Sequence, residues 1–512
     1  MASKIFMGDM SLLENILKNL NNDFYSLYSC AVVSRHWCKV SIPILWQDPF
    51  SFEPNSLFIF KYFSSLGEDE KFVLKELGTY EDEFFSKTLF DYARFLKVLD
   101  LFRLNVKARD LRYQLGVNSY RIMNWLIKIF IESGATLHKL DLYCYFYSDD
   151  LDWMSFYSLL EQIDQFFLQL QDLSLRAIST YSSENAIKFL ISLTKKTTKI
   201  STLNLSDFNS NSDPQILQAL INLIKSQEQI KRFSIFGESS TEFHGVISSL
   251  ECQTNSLQEV IIESCDYSEE FEVLRNCKNL EILRMRDSNY PELLNLLNCE
   301  INTLEIEDSE IEASIIVQTL EKSGLSLQQL KLKSNVKIMD ESLLLKAFKE
   351  DSLLLEAIKS FCPNITYLNI TYTKISTHLV DLISNLQKLQ FLTLQYNVDM
   401  DYMPEKDPMI RVKQFAKILP LTLQYLDLSE STWLNPYIDI LLNYCDAPLK
   451  KLLIDDLNNE KSAKALIEFC IRKRTLNYVT LRRWYNLDDH NFSKTVEAYV
   501  TLTPFERIVV DC

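Results

Sequence analysis

Apolar residues recur along the chain in a six-residue phrase, Leu-x-x-Leu-x-Leu with apolar substitutions, which returns about fifteen times between Leu96 and Val510. The fourth and sixth positions of each phrase are apolar and the residue between them varies, which is the period of a short strand with one buried face. Each phrase therefore predicts a strand. The phrases begin at Leu96, Leu137, Leu170, Ile200, Ile230, Leu257, Leu280, Ile301, Leu327, Ile365, Leu389, Leu423, Leu449, Leu476 and Phe505.

The segments between the phrases have helical periodicity. Asp213 and Pro214 form a typical helix start, an N-cap residue followed by proline at the first helical position, and Asn435 and Pro436 repeat this arrangement before the apolar face that starts at Ile438. A strand, a turn and a helix repeated in this way predict stacked units. Their strands form a parallel sheet on the concave side, and their helices pack on the convex side.

The pattern resembles the leucine-rich-repeat family over roughly four fifths of the chain. The resemblance implies an α/β fold, a leucine-rich-repeat solenoid with a curved parallel sheet inside and helices outside, built from about fifteen irregular units over residues 96–512. The Asn or Cys that usually follows the strand in this family stands at Cys265, Asn335 and Asn397. Other units carry Ser, Thr or bulky residues there, so we expect irregular turns.

The residues before about Phe50 do not carry the phrase and instead predict short helices. Leu12, Leu13, Ile16, Leu17 and Leu20 share one helix face, and Asn22 or Asp23 opens a second helix. Helices this short bury too little apolar surface to be stable alone. The segments LLENIL at 12–17, LYSCAVVSRHW at 27–37 and ILW at 44–46 resemble an F-box, although Gly8-Asp9 stands where that family usually has Leu-Pro.

The F-box family docks on the Skp-type adaptor of cullin-based ubiquitin ligases, and the resemblance implies such an adaptor and its cullin scaffold as partners. The residues that match the apolar adaptor contact or its supporting core are Leu13, Ile16, Leu17, Leu20, Leu27, Val33 and Trp37. The sequence leaves both roles open for each of them. The implied organisation is a small all-helical F-box-like module at 9–48, a helical linker or cap at 49–95 and the solenoid at 96–512.

The composition narrows the partner classes and the compartment. The 512 residues carry a formal net charge of -16, which argues against nucleic acid or an anionic membrane as a partner. Eleven cysteines show no metal-ligand spacing, so we expect reduced thiols and no metal site. No stretch has the length and apolarity of a signal peptide or a membrane span, and we expect a cytoplasmic or nuclear protein.

Motifs of catalysis do not occur in the sequence. It contains no G-x-S-x-G, no G-x-G-x-x-G and no phosphate-binding loop, and its five histidines fall in different units. We therefore expect no catalytic residues and no cofactor. The favoured interpretation is a non-catalytic subunit that recognises a target protein and holds it for ubiquitination. The alternative is a leucine-rich-repeat interaction scaffold without a ubiquitin-ligase role, and an intracellular immune receptor would require a nucleotide-binding domain.

Variable strand positions supply the candidate target site. Arg284 and Arg286, Glu305 and Glu307, then Lys331 and Lys333 occupy the fifth and seventh positions of successive phrases. They form either a charged recognition patch or ion pairs between neighbouring strands, and we favour ion pairs.

Aromatic residues at the third position predict recognition anchors for an unidentified protein substrate if the strand face is exposed. The predicted substrate-binding residues are Tyr367, Phe391, Tyr425 and Tyr478, with Asn369 and Asp427 beside them. The alternative is that the C-terminal stretch or an inserted loop such as 399–407 folds over this face.

Overall fold

The computed structural model describes residues 10–20, 23–51, 56–76, 88–143, 165–177, 183–208, 213–240, 243–288, 292–296, 300–308, 312–333, 352–371, 375–395, 408–455, 457, 460–481 and 496–503. The chain divides into two compact units, Met1–Ser256 and Leu257–Cys512. Gly8-Asp9, Asn335, Asn397, the loop 399–407 and the phrase that starts at Phe505 lie outside the described residues.

The first unit contains the N-terminal helices and five parallel strands that pair in chain order. The strands are β1 (Val98–Asp100), β2 (Lys139–Tyr143), β3 (Asp172–Arg176), β4 (Thr202–Phe208) and β5 (Arg232–Ser240). The helices before the sheet are α1 (Met10–Lys18), α2 (Phe24–Ala31), α3 (Arg35–Leu45), α4 (Phe60–Phe63) and α5 (Glu68–Glu76). Those between the strands are α6 (Leu101–Leu115), α7 (Ser119–Glu132), α8 (Ser183–Lys196) and α9 (Pro214–Ser226).

The second unit continues the same alternation with ten parallel strands, again in chain order. They are β6 (Glu259–Cys265), β7 (Ile282–Arg286), β8 (Thr303–Glu307), β9 (Gln329–Lys333), β10 (Tyr367–Thr371), β11 (Phe391–Gln395), β12 (Tyr425–Leu428), β13 (Lys451–Ile454), β14 (Tyr478–Leu481) and β15 (Thr501–Leu502). Its helices are α10 (Glu292–Leu296), α11 (Ala313–Ser323), α12 (Thr377–Asn385), α13 (Pro408–Ile418), α14 (Ile438–Tyr444) and α15 (Glu460–Lys473), and residues 352–361 are also helical.

The register of the strands follows the sequence phrase. Fourth-position residues of successive phrases are direct partners, as in the series Leu283, Leu304, Leu330 and Leu368, and all four side chains are buried. Full burial of one such leucine stabilises the fold by roughly 2 kcal/mol. Each of these repeats buries its leucines against the next repeat, and the repeated phrase therefore produces a solenoid. The α/β leucine-rich-repeat fold predicted from the sequence is confirmed.

The residue after the seventh position has a left-handed backbone conformation in several repeats although it is not glycine. Its φ is 53° at Asp207, inside β4 where the register with β5 shifts, and 47° at Asp287 and 54° at Asp308, directly after β7 and β8. The amide of Asp287 donates to the carbonyl of Glu307, and that of Asp308 donates to the carbonyl of Lys333. Asp tolerates this conformation better than most residues, so the turn is built without glycine.

Two buried glutamines join neighbouring repeats of the first unit on the helical side. Gln227 accepts a hydrogen bond from the amide of Ile200 at 3.1 Å and donates to the carbonyl of Thr197 at 3.1 Å. Gln253 accepts from the amide of Ile230 at 3.0 Å and donates to the carbonyl of Gln227 at 2.9 Å. Each glutamine satisfies backbone groups of the preceding repeat that burial would otherwise leave unpaired.

The sequence predicted two helix starts with an N-cap residue followed by proline, and the structure has one of them. Asp213 caps α9 by accepting from the amide of Gln215, with Pro214 at the first helical position, as predicted. Asn435 does not start a helix, because it lies inside a 3-10 helix at Thr432–Tyr437 and its side chain donates to Asp455.

The last described strand is one that the phrase did not predict. β15 pairs Leu502 with Val479 and lies before Phe505, where the last phrase begins outside the described residues. Within the residue ranges given above, none of the helices combines the length and the apolar composition that a membrane span requires.

Candidate functional site

The N-terminal helices α1, α2 and α3 form a small module with a core of its own. The buried residues of this core are Leu13, Leu17, Leu27, Val40, Ile44 and Leu45, and Leu20 and Trp37 pack against it partly buried. Asp23 caps α2, as predicted, and Ser34 caps α3. Hydrogen bonds from the hydroxyl and amide of Ser26 lower the pKa of the Asp23 carboxyl.

Several large apolar side chains of the module point to solvent. Leu12 and Ile16 are one turn apart on α1, while Tyr25, Tyr28 and Val32 follow at i, i+3 and i+7 along α2 and its C-terminal cap. The exposed fraction is 80% for Tyr25, 57% for Tyr28 and 70% for Val32. Exposed aromatic and aliphatic side chains at this spacing are typical of helical docking surfaces. Six side chains make up this group, which is called the exposed module residues below: Leu12, Ile16, Tyr25, Tyr28, Val32 and Val33.

The structure separates the two roles that the sequence left open for the predicted adaptor-binding residues. Ile16 and Val33 are exposed and accessible to a partner. Leu13, Leu17 and Leu27 are buried and supply the supporting core, so they cannot contact a partner while the module is folded. Sequence reasoning did not select Leu12, Tyr25, Tyr28 and Val32 as contact residues, because their exposure is set by how the short helices pack.

The module is joined to the first strand of the sheet by backbone hydrogen bonds. The carbonyl of Gln47 accepts from the amides of Lys97 at 2.9 Å and Val98 at 3.0 Å. Trp46 next to it lies with its ring centroid 4.1 Å from that of Tyr92 and 5.3 Å from that of Tyr62. Gln47 thus occupies the place of a preceding strand, and the module has a defined position on the sheet.

Charged side chains on strands β7 to β9 form an ion-pair network. The Glu305 side chain has 0% exposure, and its two oxygens accept hydrogen bonds from Arg284 at 2.6 Å and Arg286 at 2.8 Å. Lys331 lies 3.4 Å from Glu305 and 3.2 Å from Glu307. Burial would raise the pKa of Glu305, but the hydrogen bonds and positive charges outweigh it and lower the pKa to about 2. The favoured prediction of ion pairs between strands is confirmed.

The third-position aromatic residues form a packed row. Ring centroids of Tyr367 and Phe391 are 6.3 Å apart, and those of Phe391 and Tyr425 are 6.0 Å apart. Tyr367 and Tyr425 are 4% and 1% exposed, so the prediction that they stand on an open face is wrong. Tyr425 packs with Phe391 and Leu453 in an apolar cluster instead of facing solvent. Phe391 is half-buried and Tyr478 is exposed.

The polar residues beside this row are also buried. Asp427 accepts from the hydroxyl of Ser429 at 2.7 Å and lies 3.3 Å from the hydroxyl of Tyr425. Burial raises the pKa of the Asp427 carboxyl in spite of these hydrogen bonds. Asn369 is 7% exposed. The burial of Asn369, Asp427, Tyr367 and Tyr425 removes them from a surface that binds a partner, and their predicted role in substrate binding would require this face to open.

Groups suited to metal binding do not come together in the part of the chain that the structure describes. No three His, Cys, Asp or Glu side chains there are placed to hold a metal ion. The cysteines described are free thiols. Burial raises the pKa of Cys362 to about 12 and that of Cys445 and Cys470 to about 11, so these thiols stay protonated at neutral pH.

Comparisons with known proteins give likenesses of fold only. Neither a family model nor a curated protein sequence matches this chain. Among solved structures, it is similar to the leucine-rich-repeat protein LegL7 from Legionella pneumophila, with 13% identity and a TM-score of 0.36 over 65% of this chain and 97% of that one. A complex of Rad7 and Elc1 in yeast gives 13% identity and a TM-score of 0.36 over 80% and 88%. These similarities carry no argument about function.

Proposed function

We propose that this protein is a non-catalytic substrate receptor of a cullin-type ubiquitin ligase. The exposed module residues dock on a Skp-type adaptor, and the leucine-rich-repeat solenoid binds the target protein. The observation that carries the proposal is the row of Tyr25, Tyr28 and Val32 on a module that already has a complete core. Apolar side chains that stand exposed together outside the core suit a partner surface.

The fixed attachment of the module suits the same role. A receptor of this class contributes to rate by holding a target lysine near the charged conjugating enzyme, and such proximity requires a defined geometry. The hydrogen bonds that Lys97 and Val98 donate to Gln47, with the ring packing of Trp46, provide a defined geometry between the module and β1.

The same attachment also favours a second candidate, a protein-interaction scaffold without a ubiquitin-ligase role. In that case the helices cap the open edge of β1 through Gln47 and need no adaptor. Capping alone gives no reason for the exposure of Tyr25 and Val32, which lie on the far side of α2 from the core residue Leu27. We therefore place the receptor first.

Co-purification from cells separates the two candidates. The intact chain should retain a Skp-type adaptor, and the double variant Tyr28→Glu with Val33→Glu should lose it, because charged residues then replace apolar contact surface. Leu89→Glu is the matched control, since Leu89 is exposed but lies outside the module. Failure of the intact chain to retain any Skp-type adaptor, or equal retention by the double variant, would favour the scaffold.

A further inference from the structure

Helix α6 combines an exposed apolar stripe with a concentration of positive charge. Phe102, Val106, Arg109 and Tyr113 follow at i, i+4, i+7 and i+11, which places them on one face of the helix. Phe102 and Tyr113 are 48% and 79% exposed. The opposite face packs against the rest of the first unit through the buried apolar side chains of Leu104, Ala108, Leu111 and Leu115. The helix is thus fixed in place with a second apolar stripe turned outward.

The cations of α6 flank this stripe. Arg103 and Lys107 lie to one side of it and Arg112 to the other, with Arg109 in its middle. Arg112 stacks over the ring of Tyr113 at 4.5 Å and also bonds its hydroxyl, so cation and aromatic ring form one surface. The helix has four basic residues and one acidic residue in a chain whose formal net charge is -16.

Two carboxylates lie beside this surface, and one of them pairs with a flanking cation. Asp110 accepts a hydrogen bond from the hydroxyl of Ser56 at 2.9 Å. Asp100 caps the helix and pairs with Arg103 at 3.3 Å. Arg109 is exposed at the centre of the stripe, so positive charge remains beside the apolar side chains.

We propose that the outward face of α6, made by Phe102, Val106, Arg109 and Tyr113 with Arg112 beside it, binds an acidic segment of a partner protein that also carries apolar residues. Charge complementarity favours carboxylates opposite the arginines, and the stripe requires apolar or aromatic side chains between them. Phe102 and Tyr113 lie eleven residues apart, so the contact spans about 16 Å of helix. RNA and anionic bilayers bring many phosphates to the surface at once, and the net charge of -16 opposes such ligands more strongly than a short acidic segment with apolar residues.

The test uses the purified full chain without adaptor, so its outcome does not depend on the proposed ligase role. The probe is a fluorescent random copolymer of glutamate and tyrosine, followed by anisotropy. The parent should bind it, binding should weaken as salt concentration rises, and Arg109→Glu should weaken it about tenfold or more. Phe102→Ser should weaken it as well, whereas polyglutamate without tyrosine should bind less tightly than the copolymer.

The control is Lys225→Glu, which reverses an exposed cation on α9 in the same unit and should leave the affinity unchanged. Thermal melts of both variants should show that they are folded at the temperature of the binding measurement. The proposal is overturned if the parent does not bind the copolymer or if Arg109→Glu and Phe102→Ser bind as tightly as the parent. It is also overturned if polyuridylate or phosphatidylserine vesicles displace the copolymer from this face.

Discussion

Removal of the Glu305 carboxylate should be among the most damaging single changes in the second unit. Glu305→Gln keeps the shape of the side chain but takes away the negative charge that Arg284, Arg286 and Lys331 share. The cluster then holds three cations around a neutral amide whose NH2 group cannot accept their hydrogen bonds. Loss of one partner from a buried ionic group costs far more than loss of a surface ion pair.

The magnitude follows from the pKa of Glu305. Its folded value of about 2 lies below the ordinary 4.5, and a difference of about 2.5 pKa units corresponds to about 3 kcal/mol of unfolding free energy at neutral pH. Because the folded pKa is lowered, this stabilisation is fully present above about pH 4.5 and is lost as the pH falls toward 2. The parent and Glu305→Gln should therefore differ by about 3 kcal/mol at pH 7 and converge in acid.

Urea unfolding followed by circular dichroism at several pH values measures both effects. The matched control is Glu300→Gln, an exposed glutamate, which should change the unfolding free energy by less than about 0.5 kcal/mol. Glu305→Gln combined with Lys331→Gln should recover part of the loss, since it restores the charge balance. A cost below about 1 kcal/mol for Glu305→Gln, or a cost that does not shrink in acid, would refute this reasoning.

Two further predictions concern the backbone contacts between units, both measured by urea unfolding. Gln227→Leu leaves the buried amide of Ile200 and the carbonyl of Thr197 unpaired, so it should lower the unfolding free energy by about 2 to 4 kcal/mol. The control Gln218→Leu changes an exposed glutamine and should be near neutral. Equal effects of the two changes would contradict the role of Gln227 in joining the repeats. Asp207→Val should be less stable than Asp207→Gly by at least about 1 kcal/mol, because a β-branched residue is strained at φ of 53°. A valine variant more stable than the glycine variant would show that the backbone shifts.

The strands could be predicted because their burial depends on the phrase alone. Leu283 and Met285 alternate with arginines, and this period places the apolar side chains in the core whatever the neighbouring loops do. The start of α9 at Asp213 and Pro214 is equally local, since capping involves only the first turn of a helix. Such features need no knowledge of distant residues.

Other features depended on contacts that a local pattern does not contain. Asn435 had the sequence of a helix start, but its amide donates to Asp455 twenty residues away and the chain there forms a 3-10 helix. The pairing of β15 with β14 uses Thr501 and Leu502, which carry no phrase of their own. A tertiary hydrogen bond at Asn435 and pairing with a neighbouring strand at β15 are not visible in the local sequence.

The candidate sites show the same division. Periodicity identified the side of each strand that carries Tyr367 and Tyr425, but their exposure is set by packing and came out opposite to the prediction. For the module, Leu27 was correctly placed on an apolar face, yet the sequence could not tell core from contact surface in helices this short. The outward positions of Tyr25 and Tyr28 became apparent only from the packed structure.

Calorimetric titration of the purified full chain with a purified Skp-type adaptor tests the central claim most directly. The account predicts one-to-one binding that Tyr28→Glu with Val33→Glu weakens by about a hundredfold or more while Leu89→Glu leaves it intact. Unchanged melting temperatures would show that the module is still folded in the double variant. No binding by the parent chain, or an affinity that the double variant retains in full, would contradict the account.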